Sequence, residues 1–468
     1  MKENLRLNKE KSPWWWIPSL YVAEGLPYFA VNTLTVLMYV NMGIDIGTMA
    51  FFTGWLYLPW VIKPFWSPFI DIFKTKRWWI LTMQLLMGIS MAAIALLLPG
   101  SFFFTSTLIV FWLIAFFSAT HDVAADGFYI LGLSSHEQAS FVGVRSTFYR
   151  VASIAGQGGL VMLAGYWETS TGNIPVAWSY VFGILSLFFL GITFYHWFAI
   201  PKTKEDQPRK DVTYKNIFKD FLSTFSTFFK KPHIIIALAF MLLYRFPEAL
   251  CVKLVQPFLV ASKDIGGLGL STTEAGFING TVGVIGLLLG GIAGGVAIAK
   301  WGLKRMLWLM AGSLTLPCIF YCFLAMWQPE SFHTIAIAIG LEQFGYGFGF
   351  SAYMLYLIYF SRGENATSHY AFCTAFMAIG MMIPGMFAGW LQEWLQNYDF
   401  FATGTPQGFV NFFWVVVLSS LVTFLVCSFL KINPSFGMKD GKEEDYEEDN
   451  NFTSSKPNKS PLTSSSTN

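Results

Sequence analysis

Apolar residues in this chain run in long blocks with short polar breaks, without the period-two alternation of strands or the single apolar stripe of a soluble helix. Twelve blocks are long enough to cross a bilayer: residues 14–40, 47–70, 78–98, 104–131, 142–166, 176–200, 233–260, 274–299, 305–327, 333–360, 370–392 and 409–430. Lipid offers no partners to N–H or C=O groups, so each block must satisfy its own backbone as a helix. The blocks come as six, a polar stretch, and six more. The predicted fold is all-α and integral to the membrane, with twelve transmembrane helices in two pseudo-symmetric six-helix halves, 14–200 and 233–430. Outside them lie an N-terminal tail (1–13), a basic linker (201–232) and a C-terminal tail (431–468). The linker run 214–229 interleaves aromatic and basic residues at helical spacing and predicts an amphipathic helix along the membrane surface. Residues 437–468 are acidic and then rich in Ser, Thr and Asn, a composition that does not fold.

Basic residues orient the bundle. The N-terminal tail holds four, 74–77 three, the linker eight, 300–305 three, Arg362 one and the C-terminal tail five; all 24 fall on one side of the twelve-span plan. The opposite loops hold only Lys263, and five more lie inside spans: Lys63, Arg145, Arg150, Arg245 and Lys253. Basic loops stay in the cytoplasm, so both termini are expected there. Trp14-Trp15-Trp16 and Trp78-Trp79 fall at predicted membrane faces as interfacial anchors.

Composition narrows the class. Of 468 residues, 54% are hydrophobic and 12% charged, against about 25% charged in soluble domains. A net charge of +2 makes no case for a nucleic-acid partner. Five cysteines (251, 318, 322, 373, 427) sit in apolar segments and read as small buried hydrophobes, with no metal-ligand spacing and no disulfide framework. Residues 1–12 are charged and the apolar block after them is long enough to span, so no cleavable leader is expected. No Ser-His-Asp set falls on one membrane face, so the chain is not expected to be an enzyme. The glycine run 283, 286, 290, 291, 294 and 295 is a helix-packing stripe, since a nucleotide loop would follow a strand.

Charges inside spans carry the functional reading, because each costs at least a few kcal/mol at bilayer depth unless paired, hydrated or protonated. Asp122 and Asp126 share a helix face. They are either a proton-coupling pair or a static ion pair with Arg150 on the next helix. His121 points away from them and reads as a polar packing residue without a partner on its own helix. Glu24 precedes Gly25 and Pro27, which free backbone groups toward a cavity; it is a proton or substrate group, or a carboxylate bonded to those freed donors. Glu342, with Gln343 beside it, is a second mid-span candidate. Arg245 and Glu248 are three apart and can pair on their own helix; if free, Arg245 is the leading anchor for a substrate anion, with Lys253 second. Lys63 pairs with Asp71 or reaches the inner surface. Tyr149, Tyr244, Tyr353 and Tyr356 lie beside polar residues, as sugar-stacking faces or as ordinary packing.

The run Gly295 to Arg305, with its glycines and paired bases, resembles the loop signature of the major facilitator superfamily, with Ala299 where that signature has aspartate. The first-half copy keeps Asp71 but has Ser67 at the glycine position. Gly25-Leu-Pro27, Lys63-Pro-Phe-Trp-Ser-Pro68, Ser118-Ala-Thr-His-Asp122 with Asp126, Tyr149-Arg150, Leu341-Glu342-Gln343 and His369-Tyr-Ala-Phe with Gly380 and Gly385 resemble the AmpG-type muropeptide permeases. His121 departs from the glutamine of that pattern. The resemblance covers about residues 14–430. It implies a monomer in the bacterial inner membrane that imports anhydromuropeptides (N-acetylglucosaminyl-anhydromuramyl peptides) with protons by alternating access, using the proton gradient and no cofactor. The charges inside the spans make Asp122, Asp126, Glu24, Glu342 and Arg150 the expected proton-coupling or gating residues. Substrate contact falls to Arg245, Lys253, Gln343, Tyr149, Tyr244 and Tyr353. The wider group also carries acetyl-coenzyme A and siderophores, so another anionic solute is the alternative.

Overall fold

The computed structural model describes residues 12–133, 135–203, 206–207, 214–362, 366–400, 407–434 and 436. Twelve spans cross in turn: α1 (17–41), α2 (46–72), α3 (Lys76–Leu97), α4 (Phe103–Leu131), α5 (135–171), α6 (Ile174–Ala199), α7 (Ile234–Val260), α8 (Thr272–Trp301), α9 (Leu303–Trp327), α10 (Phe332–Ser361), α11 (Ala366–Leu395) and α12 (Gln407–Ser428). Eight of them are by length and composition apolar enough to cross a membrane unaided. The other four, α1, α2, α5 and α10, are the broken or more polar ones and carry Glu24, Lys63, Arg145 and Glu342. Two of the eight apolar spans also carry charge: α4 holds Asp122 and Asp126, and α7 holds Arg245, Glu248 and Lys253.

Each half has its own apolar core. Phe111, Trp178, Phe182 and Phe189 centre the first; Phe258, Tyr321, Phe409 and Phe413 centre the second. Glycines 286, 290 and 294 seat α8 on α10, where a β-carbon on Gly290 would stand 2.0 Å from the Phe344 carbonyl oxygen. Trp14, Trp15 and Trp78 are exposed, as interfacial anchors must be. Trp16 is not: it is buried edge-on against Phe128, because the short 3-10 turn Pro13–Trp15 folds it inward.

The linker contains the expected helix, Tyr214–Phe229, and its Phe225 and Phe228 pack on Phe372 and Phe376 of α11. The C-terminal tail does not begin freely at 431. Ile432 and Phe436 are buried in the second half; the Phe436 carbonyl accepts from Leu303 N at 3.0 Å and Arg362 lies over its ring. The composition of 437–468 that predicts an unfolded tail lies outside the described residues.

An even number of spans puts the N-terminus, the linker and the end of α12 on one face, here the terminus face. Extensive contact between the halves is concentrated toward the opposite, distal face. There α2 packs on α11, with Gly47 N donating to Glu393 Oε1 at 2.8 Å. α5 packs on α8 through two π-helical turns, 154–160 and 278–283. Glu168 ties the two halves by accepting from Asn41 Nδ2 and Trp178 Nε1, both at 2.8 Å, and from the Thr272 hydroxyl. The halves are therefore in close contact distally, so a cleft between them has its way out toward the terminus face.

That seal depends on close backbone approach. A β-carbon on Gly280 would meet Gly158 N at 2.2 Å, and one on Gly389 would meet the Ile46 carbonyl oxygen at 2.4 Å. Backbone cannot yield as a flexible side chain can, so Gly280→Val and Gly389→Val should part the distal seal. Labelling of a cysteine at position 57 by an impermeant reagent applied from the distal side should rise several-fold; labelling at the level of the unsubstituted seal would show that closure rests elsewhere.

Candidate functional site

Three carboxylates and two bases meet on the first half's wall of the cleft. α4 carries Asp122 and Asp126 one turn apart. Lys63 Nζ forms an ion pair with Asp122 Oδ2. Arg145 Nη2 pairs with Asp126 Oδ1 at 2.6 Å, and the Tyr21 hydroxyl donates to the same oxygen at 3.3 Å. The Arg145 guanidinium also covers the Tyr21 ring, 4.6 Å from its centroid. Glu24 on α1 is 7% exposed, lies near enough to Asp122 and Asp126 to feel their charge, and leaves its Oε2 without a partner among the described residues. Glu24, Asp122 and Asp126 against Lys63 and Arg145 leave one negative charge over, which one proton cancels.

These pairings correct two expectations. The arginine that pairs with the aspartates, at Asp126, is Arg145, not Arg150, which makes no ion pair among the described residues. α5 begins at Ser135, not at 142, so Arg145 lies nearly three turns inside it, level with Asp126; Arg150 is five residues on and faces elsewhere. Lys63 pairs with Asp122 because the 3-10 turn Lys63–Phe65 breaks α2 and turns the chain toward α4. The Asp71 side chain lies outside the described residues.

His121 packs away from the cleft, as expected, in a buried chain whose other members the sequence reading did not single out. Its Nε2 lies 2.9 Å from Gln84 Nε2, Gln84 Oε1 lies 3.0 Å from His196 Nδ1, and His196 Nε2 lies 2.9 Å from Ser19 Oγ. This chain ties α1, α3, α4 and α6 together behind the carboxylates.

Across the cleft, Arg245 caps the broken start of the second segment of α7. Its Nε and Nη2 donate to Glu248 Oε2 and Oε1 at 2.7 and 3.1 Å, and Nη2 donates to the Tyr346 hydroxyl at 2.7 Å. The guanidinium lies 4.7 Å from the Phe350 ring centroid. Of the two arrangements open to Arg245, the self-paired one is present. Tyr244 and Tyr353 are fully buried and spend their hydroxyls on the carbonyls of Gly349 and Met241, at 3.1 and 2.5 Å, so both belong to the packing of the second half. Tyr356 is packed beside them. Glu342 is buried and accepts from the Tyr321 hydroxyl at 2.8 Å and from Gln343 Nε2 at 2.9 Å. Lys253 makes no ion pair among the described residues; its β-carbon packs toward Gly385 of α11. Tyr149 is half-buried on α5, against Gly25 beside Glu24.

Between the two walls stands an aromatic group that sequence reasoning missed. Tyr28, Tyr57 and Trp60 are each only half-buried and meet edge-on or tilted, with centroids 5.4 to 6.4 Å apart; the Tyr28 and Tyr57 hydroxyls bond each other. Tyr57 is within electrostatic reach of Arg245 and Glu248, and Tyr28 of Tyr346. Tyr28 lies one turn beyond Glu24, so the spacing from that carboxylate was the available signal.

A twelve-helix bundle with charged groups gathered on a central cleft is the architecture of a membrane transporter. The family model of the Major Facilitator Superfamily matches residues 19–358, and the chain belongs to that superfamily. An anhydromuropeptide permease of Escherichia coli (strain K12) is 25% identical over 430 residues, which cover 88% of this chain and 80% of that one. Two solved structures share the fold. A bacterial homolog of the human lysosomal transporter Spinster, inward-facing and unoccupied, has a TM-score of 0.66 at 14% identity and covers 89% of this chain and 96% of its own. A D-xylose-proton symporter has a TM-score of 0.64 at 12% identity, covering 90% and 97%. The protein is a multi-pass membrane transporter for a small molecule.

Proposed function

We propose that this transporter imports anhydromuropeptides together with protons, by alternating access of the cleft to the two faces, with both termini in the cytoplasm of a bacterial inner membrane. The odd carboxylate carries the reading. Three acids against two bases cannot be neutral at membrane depth without one proton, and a group that must take up a proton as the cleft changes sides is what coupling requires. Glu24 is its natural seat, because Asp122 and Asp126 already have bases.

Cargo recognition follows from what remains free. Tyr28, Tyr57 and Trp60 offer accessible aromatic faces to a sugar ring, between the carboxylates and Arg245. Of the five bases inside the spans, Lys63, Arg145 and Arg245 are paired with carboxylates, which leaves Arg150 and Lys253 for cargo anions. Two bases suit a peptide's carboxylates better than the several phosphates of an acyl-coenzyme, so the muropeptide is favoured over acetyl-coenzyme A. Proteoliposomes that hold the purified carrier should accumulate labelled anhydromuropeptide when the cargo side is made acidic, and only equilibrate it without a pH gradient. Acid-driven accumulation of acetyl-coenzyme A or a siderophore in its place would replace the cargo assignment.

A further inference from the structure

The cleft-facing stripe of α7 ends in a buried side chain that no group among the described residues satisfies. At about 100° per residue, Arg245, Glu248, Val252 and Gln256 share one face of the helix. Arg245 and Glu248 look into the cleft toward Tyr346, and Val252, one turn farther, is 48% exposed. Gln256 is the next turn, at the closed distal end, and only 4% exposed. Neither its Oε1 nor its Nε2 has a hydrogen-bond partner among the described residues. The matching stripe of α1 runs Glu24, Tyr28, Asn32, and Asn32 also ends it with an unmet oxygen: Nδ2 donates to the Tyr28 carbonyl at 3.0 Å while Oδ1 has no partner. The distal turns of α1 pack on the second segment of α7, so both stripes run to the same end of the cleft.

A buried amide with both ends unmet is costly to the empty protein. Leucine or methionine would fill the same space without that cost. Gln256 at the blind end of the cleft, with the unmet oxygen of Asn32 on α1, makes sense as a group whose partners arrive with the cargo. A carboxamide presents one acceptor and two donors, the complement of another amide. Lys253, one turn back on the adjoining face, adds an ammonium without an ion pair.

We propose that Gln256, with Asn32 on the facing helix, forms an amide-reading subsite toward the distal end of the cleft, which takes a peptide group of a cargo whose neighbouring carboxylate goes to Lys253. The subsite rests on the transport reading above and specifies it: the peptide end of the cargo enters first and the sugar lies nearer Tyr28, Tyr57 and Trp60.

The test uses the full-length carrier in detergent and two probe pairs, each an amide and its depsi analogue with an ester oxygen in place of the first peptide N–H: an anhydromuramyl tripeptide and an N-acetylated tripeptide. The wild type should bind each amide about tenfold more tightly than its ester, the worth of one hydrogen bond. In Gln256→Leu that ratio should fall to about one, while the melting temperature of the empty carrier rises. Gln256→Met, closer in shape, should behave the same and covers the case in which the leucine variant does not fold. An unchanged amide-to-ester ratio in either variant overturns the subsite, as does a lowered melting temperature with binding intact. Amide preference seen with the acetylated tripeptide, but no binding of the muramyl probe, would remove the cargo assignment and leave the subsite standing. Tight binding of the muramyl probe without amide preference would do the reverse.

Discussion

A Glu24→Gln carrier should exchange cargo between equal pools at near wild-type rate and fail to accumulate it against a gradient. The substitution keeps the shape and hydrogen-bonding capacity of the side chain but makes it permanently neutral. It leaves Asp122 with Lys63 and Asp126 with Arg145, so the cluster becomes balanced at two charges of each sign and should fold normally. What is lost is the group that alternates between charged and neutral. The aspartates behave differently. Asp122→Asn strands Lys63 and Asp126→Asn strands Arg145, and breaking a buried pair from one side costs about 3–5 kcal/mol, moderated here because the pairs are partly open to the cleft. Both variants should express poorly. Lys63→Met combined with Asp122→Asn should recover expression, because both charges leave together, and should still be driven by a pH gradient through Glu24. Full pH-driven accumulation by Glu24→Gln would sink the assignment and move the search to Glu342.

The sequence made the bundle legible because lipid imposes one rule on every span. Long apolar blocks and one-sided basic loops carry that rule openly, and the spans were misjudged mainly where polar residues hid a helix, as at the start of α5. The individual charged residues were legible too, since Glu24, Asp122, Asp126 and Arg245 stand out against apolar neighbours. Their partners were not. Whether Asp126 meets Arg145 or Arg150 depends on where α5 starts and how it is rotated, and Lys63 reaches Asp122 only because α2 breaks at a 3-10 turn. Tyr28, Tyr57 and Trp60 were invisible for a different reason: aromatic residues make up 18% of the chain, and the few that line a cleft look like the many that face lipid or core. Gln256 went unnoticed because an uncharged amide hardly interrupts an apolar run.

The second large effect concerns Arg245. Its fork is closed on Glu248, so the empty carrier holds a neutral pair there, buried and braced by Tyr346. Arg245→Ala should therefore destabilise the carrier by about 3–5 kcal/mol, chiefly by leaving the Glu248 carboxylate buried and alone. That loss says nothing about cargo, which the paired variant addresses. Arg245→Met with Glu248→Leu removes both charges and should fold near wild type, since a buried pair is often replaceable by apolar residues of similar size. If cargo carboxylate displaces Glu248 from the fork during transport, the double variant should bind cargo about ten- to a hundred-fold more weakly, the value of a charged contact of about 1.5–3 kcal/mol. Glu248→Gln should then do the opposite: it opens the fork, weakens the empty carrier, and makes anionic cargo raise the melting temperature by more than it does in wild type. Wild-type affinity in the double variant would make the pair a clamp on the bend of α7, with Lys253 and Arg150 left to hold the anion.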